Sequence, residues 1–331
     1  MILRLFNGKQ FILQFAIILA FLALMINYDV ALSAPKNSGP LYTLIYHWLE
    51  RSVYTSRISF FALLISEALL LQLIVAQYRL VPRNNYIIIF IWFLLSFSNP
   101  SLLSINPVII ASVITSWGLF RLLSISELEH TLPNLFTAGF MFSSASLVYG
   151  NMIWYIVFLI IGLMVLSLFR GRELMVSLVS FALPYVFILS YGFVFNQEFA
   201  FGNPVMVNFE SWSFFSKGIQ LWLSIIIFII IVLLSLYSVF NVMLHLSSKL
   251  IQIRKSTTLL FVLLIFNILL LFTSGTWWSS HPFLIFIPLS ILLTLFLSEQ
   301  KKSFYIDLIL LSIIILEIVQ LYYAHYAKAL S

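Results

Sequence analysis

Of the 331 residues, 62% are hydrophobic and 8% are charged, where an ordinary soluble domain carries about 25% charged residues; so few ions cannot cover a fold whose whole surface meets water. The chain contains no cysteine, which excludes a disulfide framework, a thiolate metal site and a thiol nucleophile. A net charge of +6 would point a soluble protein toward nucleic acid, but here the basic residues are scattered between apolar stretches, so they read as topology signals and no nucleic-acid partner is expected.

Crossing roughly 30 Å of hydrocarbon takes about 20 apolar residues in a helix, and the apolar runs are read by that measure. The first, 9–28, follows Arg4 and Lys9; it has the basic flank of a signal peptide but no small-x-small cleavage site behind it, so it is expected to be the first membrane helix. An outer segment from Asn27 to Ser56 comes next. Its stretch from Leu41 to Arg51 begins after Gly39-Pro40, a helix start, and carries apolar residues at helical spacing. Too short to span, it is expected to lie along the outer interface. Spans follow at 57–78, 85–99 and 104–123, with Asn99-Pro100 and Asn106-Pro107 read as helix-ending punctuation around one outer turn. The runs 85–99 and 133–149 are short enough for tilted or partly buried helices. Within 133–149, Ala138, Gly139, Ser143, Ser144, Ala145 and Ser146 are small enough to let a neighbouring helix approach closely. Spans at 151–169 and 174–195 come next, the latter holding Pro184, which is expected to kink it. A second outer segment, Asn196 to Lys217, carries Glu198, Glu210 and several aromatic residues and reads as a partly embedded loop. The last spans are 218–246, 257–274, 282–297 and 303–326. The expected architecture is an all-α polytopic transmembrane bundle of about 11 spans with an interfacial helix in the first outer loop.

With the N-terminus in the cytoplasm, the loops on that side hold Arg4, Lys9, Arg79, Arg83, Arg121, Arg170, Arg172, Lys249, Arg254, Lys255, Lys301 and Lys302, which is 12 of the 17 basic residues. The outer side holds Lys36, Arg51, Arg57, Lys217 and Lys328. Because cationic loops are retained inside, the expected layout has the N-terminus in and the C-terminus out.

Asp29 stands just past the outer end of the first span, where a carboxylate can serve as a general base toward a lipid-embedded substrate; an ordinary solvated loop Asp has the same spacing. His47 and Arg51 are four apart and share a helix face, with Glu50 between them and Arg57 opening the next span. Such residues grip a phosphate or pyrophosphate, or simply snorkel to the interface. Glu67 and Glu317 lie near the middle of their spans, where an ionised carboxylate is expensive unless paired or wetted. Ser59, Ser66 and Gln72 sit near Glu67 along its own helix, and Gln320 one turn beyond Glu317, so each is either a substrate or proton site or a hydrogen-bonded structural residue. Trp277, Trp278 and His281 form an outer turn; the tryptophans suit a headgroup-level anchor, and His281 is a candidate for substrate contact. The five histidines form no metal-ligand spacing, so no cofactor is expected, and a divalent ion held by Asp29 with an outer Glu has no motif behind it.

Read from Asn27-Tyr28-Asp29, through Gly39-Pro40-Leu41-Tyr42 with its helix, to Ser56-Arg57-Ile58-Ser59, and later at Ala138-Gly139-Phe140 and Leu147-Val148-Tyr149-Gly150, the order of features resembles the C-type glycosyltransferases. These are multispan enzymes that take sugars from polyprenyl-phosphate donors on the outer face. The resemblance implies a single transmembrane domain, 1–331, divided into a glycosyltransferase-like module (1–170) and additional spans (171–331), with Asp29 as the base and Arg51 and Arg57 as phosphate contacts. The chain departs from that family in showing Asp29 alone rather than a paired acidic signature, and in lacking an outer soluble domain; a degenerate relative fits those departures. The stretches Phe136 to Tyr149, Phe169-Arg170-Gly171-Arg172-Glu173-Leu174 and Leu183-Pro184-Tyr185 also resemble a family of multi-pass inner-membrane proteins from Bacteroidota, which implies a bacterial inner-membrane location and brings no activity with it. Beside the sugar-transfer reading stand a non-enzymatic subunit of a cell-envelope complex, with membrane-protein partners, and a transporter built on Glu67 and Glu317.

Overall fold

The structure, a computed structural model, describes residues 31–32, 38–50, 52–81, 86–98, 102–125, 131–196, 219–273, 281–300 and 304–329. The expected first span and nearly all of the second outer segment lie outside them. Among the described residues the helices are α1 (Pro40–Leu49), α2 (Val53–Gln77), α3 (Ile87–Phe97), α4 (Pro107–Ser124), α5 (Thr131–Val148), α6 (Tyr155–Val165, entered through the 3-10 turn Gly150–Trp154), α7 (Gly171–Phe195), α8 (Ile219–Leu244), α9 (Ile251–Thr273), α10 (Pro282–Glu299) and α11 (Phe304–Ala329). Seven of these, α2, α4 and α7 to α11, are long and apolar enough to cross a bilayer. The chain is an all-α, multi-pass membrane bundle.

Local chemistry explains where the helices begin and end. Pro40 sits at the start of α1, where its missing N–H is no loss. The Ser52 hydroxyl accepts from the Tyr54 N–H and caps α2. Asn106 does the same for α4, its side-chain oxygen accepting from the Ile109 N–H at 3.0 Å with Pro107 next in line. Asn106-Pro107 therefore starts a helix, where the sequence pattern suggests an ending. Asn196, at φ 50°, closes α7 in the left-handed conformation that asparagine tolerates. Helix α7 runs unbroken past Pro184. Beside the carbonyl that this proline deprives of its donor, Ser143 Oγ donates to the Phe181 carbonyl at 2.5 Å.

Helix α3 is the short, partly buried helix expected within 85–99. Its 11 residues extend about 16 Å, roughly half the hydrocarbon thickness, and nearly all of them are buried. Before α4 the described chain passes through the buried residues Leu102, Leu103, Ile105 and Asn106. There the two-residue strand β2 (Ser104–Ile105) pairs in parallel with β1 (Ala31–Leu32). Non-helical backbone enclosed by protein needs partners for its N–H and C=O groups, and β1 supplies them.

Packing follows side-chain size. Helix α10 is the most enclosed of the long helices and α7 the least, and α10 rests on α2, α3, α4, α8 and α9. Helix α5 lies between α4 and α7, and its small residues act as expected: Ala138, Gly139, Ser143, Ala145 and Ser146 are buried. A Cβ on Gly139 would run into the Ser180 hydroxyl, so only glycine allows this approach. At the end of α5, Gly39 N–H donates to the Val148 carbonyl at 2.9 Å, and a Cβ on Gly39 would strike the Leu147 carbonyl.

Contacts between connections respect the alternating layout. On one side, β1 meets β2, Ser38 bridges to Tyr149, and Tyr149 Oη lies 3.5 Å from His281 Nδ1; all are positions expected outside. On the other, Tyr78 Oη donates to the Phe120 carbonyl at 2.6 Å, Lys255 Nζ to the Leu166 carbonyl at 3.2 Å, and Lys249 pairs with Glu299 at 2.6 Å; all are positions expected inside. The natural absence of cysteine makes the layout directly testable. In intact cells a membrane-impermeant maleimide should label Glu50→Cys, at an exposed helix end, and should label Gly171→Cys, which has open space around it, only after the membrane is opened. Labelling of both positions from one side would overturn the arrangement.

Candidate functional site

Of the residues singled out from the sequence, Asp29, Arg51, Trp277 and Trp278 lie outside the described residues. Ala31, two residues after Asp29 in the chain, is held in the β1–β2 ladder, and α1 packs against both α2 and α5. His47 is exposed near the end of α1, while Arg57 is half-buried early in α2. Helix α1 ends at Leu49, short of Arg51.

His281 proves to be an interior residue, fully buried just before α10. Its Nε2 faces the Asn267 backbone carbonyl at 3.3 Å; a carbonyl only accepts, so Nε2 carries the proton and Nδ1 is left to accept from Tyr149 Oη. Burial pushes the imidazole down from 6.5 to about 4, against a smaller opposing pull from that carbonyl, so the ring is neutral at pH 7. The same Asn267 is a hub. Its Oδ1 accepts from Tyr155 Oη at 2.6 Å and its Nδ2 donates to the Leu284 carbonyl at 2.7 Å. The network joins α6, α9 and α10 with the end of α5 directly beneath the Ser38–Gly39 attachment.

The two intramembrane carboxylates belong to different helix pairs. Glu67 of α2 is fully buried and accepts from the Ser116 hydroxyl of α4 through Oε1, while its Oε2 has no hydrogen-bond partner. The neighbouring hydroxyls of α4 do not help, since Ser112 and Thr115 donate to the carbonyls of Ile109 and Ala111 in their own helix. The expected seam along α2 is only half-buried at Ser59, Ser66 and Gln72. Glu317 of α11 is also fully buried, and neither of its oxygens has a partner. Gln320, one turn on, donates through Nε2 to Ser224 Oγ of α8 at 2.5 Å, and its own Oε1 is unpartnered.

Sequence reasoning missed Ser116, Ser224, Asn267 and Tyr155. Serines scattered along apolar helices carry no period that marks a partner. Asn267, though, is a lone amide inside the apolar run Leu259 to Phe272, and an amide there flags an interhelical bond. Among the described residues no group of three or more His, Asp or Glu gathers as a metal site.

Removing the hub leaves the Leu284 carbonyl and the Tyr155 hydroxyl without partners, so Asn267→Leu should destabilise the detergent-solubilised protein by about 1–3 kcal/mol, read from its unfolding midpoint. His281 should confer a pH dependence. The unfolded chain takes up a proton near pH 6.5 while the folded one resists until about 4, so this contribution is complete above pH 6.5 and is lost as pH falls toward 4, by about 3 kcal/mol. His281→Gln should flatten that part of the profile.

No family model matches the chain, and no curated protein and no solved structure matches it, so its function is argued from its own residues.

Proposed function

We propose that this multi-pass membrane protein handles a lipid-linked sugar at the outer face of a bacterial inner membrane. In this reading Asp29 takes the proton from an acceptor hydroxyl, the acceptor oxygen bonds to the sugar's anomeric carbon, and the bond from that carbon to the lipid phosphate breaks. The departing phosphate is met by Arg51 and Arg57, whose guanidinium groups match its geometry. One observation carries the proposal. Described residues that follow Asp29 are joined to the bundle, through Ala31–Leu32 on Ser104–Ile105, Gly39 on Val148 and α1 on α2 and α5. A catalytic carboxylate needs that kind of support, because small displacements of a reacting group cost large factors in rate.

Replacing Asp29 with Asn keeps the shape and removes the base. The host's envelope glycan or polymer should then fall by about 100-fold or more, with the amount of membrane-inserted protein unchanged. Undiminished product removes Asp29 from the mechanism. If a fixed membrane partner also co-purifies, the role becomes that of a non-enzymatic envelope subunit. The transporter reading is favoured by a separate observation, the incompletely partnered carboxylates Glu67 and Glu317.

A further inference from the structure

Three acceptor oxygens meet no donor at one place in the bundle interior: Glu317 Oε1, Glu317 Oε2 and Gln320 Oε1. Glu317 and Gln320 are three residues apart on α11 and so share a face. The Gln320 amide is anchored to Ser224 on α8 at 2.5 Å. Residues 317 and 320 are 0% and 1% exposed, so bulk water does not supply the missing donors. Neither do cationic side chains among the described residues. Helices α8 and α3 both pack against α11, and neither contains a Lys, Arg or His; Tyr237 of α8 is their one titratable group. On α11 itself Asp307 stands about 15 Å along the axis from Glu317, with His325 about 12 Å and Lys328 about 16 Å the other way, and Tyr305, Tyr322 and Tyr323 are exposed. An enclosed cluster of carboxylate and amide oxygens that carries a single formal negative charge and receives no hydrogen bond is complementary to a positive ion.

We infer that Glu317, Gln320 and Ser224 form an intramembrane site for a small monovalent cation, either sodium or a proton. A single positive charge cancels that of one carboxylate and leaves nothing ionic in a medium that penalises net charge. A divalent ion would leave an excess charge and asks for six or more oxygens, which this site does not gather. The inference does not depend on sugar transfer, since the site lies on helices remote in sequence from Asp29.

The test uses the full-length chain purified in detergent. Thermal unfolding is followed in sodium chloride, potassium chloride and choline chloride at equal ionic strength, alongside the infrared carboxyl band from about pH 5 to about pH 9. The difference spectrum against Glu317→Gln isolates the band of Glu317 from that of Glu67. For a sodium site the unfolding midpoint rises by several degrees in sodium chloride alone, as binding to the folded state requires, and Glu317→Gln abolishes the rise. For a proton site the salts are equivalent and the protonated-carboxyl band of Glu317 disappears within the pH range. If Glu317→Gln does not survive purification, Gln320→Met, which removes one acceptor and keeps the side-chain length, should weaken sodium binding by about tenfold or displace the titration of the band by about one pH unit. Equivalent salts together with a carboxyl band that stays constant across the range would overturn the inference, because Glu317 would then be a permanently neutral structural residue.

Discussion

Hydrocarbon offers no hydrogen bonds, and the rest of this structure follows from that constraint. Every polar group placed inside the bundle must find its partner in the protein. Backbone groups do so by forming helices, and most hydroxyls by bonding back to their own helix, as Ser112, Thr115 and Ser290 do with the carbonyls of Ile109, Ala111 and Ile287. Where the backbone leaves the helix inside the protein, between α3 and α4, a second strand meets it. The oxygens of Glu67, Glu317 and Gln320 that lack a hydrogen-bond partner stand apart from these. Each is where a cargo, a proton or a reacting group would meet the least competition from the protein.

Close packing takes over where hydrogen bonding stops. Between helices in lipid the hydrophobic effect contributes little, because the lipid tails are as apolar as leucine, and contact energy comes from surfaces that fit. Helix α5 therefore carries small residues where α4 and α7 press on it, and larger ones elsewhere. The same rule reaches the outer end, where Gly39 lets an extended segment lie directly on the last turn of α5. That contact, the β1–β2 ladder and the interior His281–Asn267–Tyr155 network reinforce one another. Together they make one end of the bundle a rigid platform, while the peripheral helices α7, α8 and α11 present broad apolar faces.

The polar chemistry is thus divided by depth. One end of the bundle holds His47, exposed, and Arg57, half-buried; the interior holds isolated carboxylates on separate helix pairs. His281 belongs to neither group in the way its sequence position implies. It lies next to tryptophans that suit a headgroup layer, yet it is enclosed and neutral, and its task is to join Tyr149 to the backbone of Asn267.

Much of this was legible from residue order, because a transmembrane helix is a local object: its length, its apolar content and its basic flanks lie within one stretch of chain. The helix start at Gly39-Pro40, the close-packing role of Ala138 to Ser146, and the alternation of sides are of that kind. Residue order also marked Glu67 and Glu317 as costly. What it could not supply was pairing across helices. That Ser116 rather than Ser66 reaches Glu67, that Gln320 turns to Ser224 and leaves Glu317 alone, and that the enclosed helix Ile87–Phe97 is followed by a strand, Ser104–Ile105, paired to Ala31–Leu32 were decided by which segments touch. Those contacts depend on shape complementarity between segments far apart in the chain, and no local periodicity encodes it.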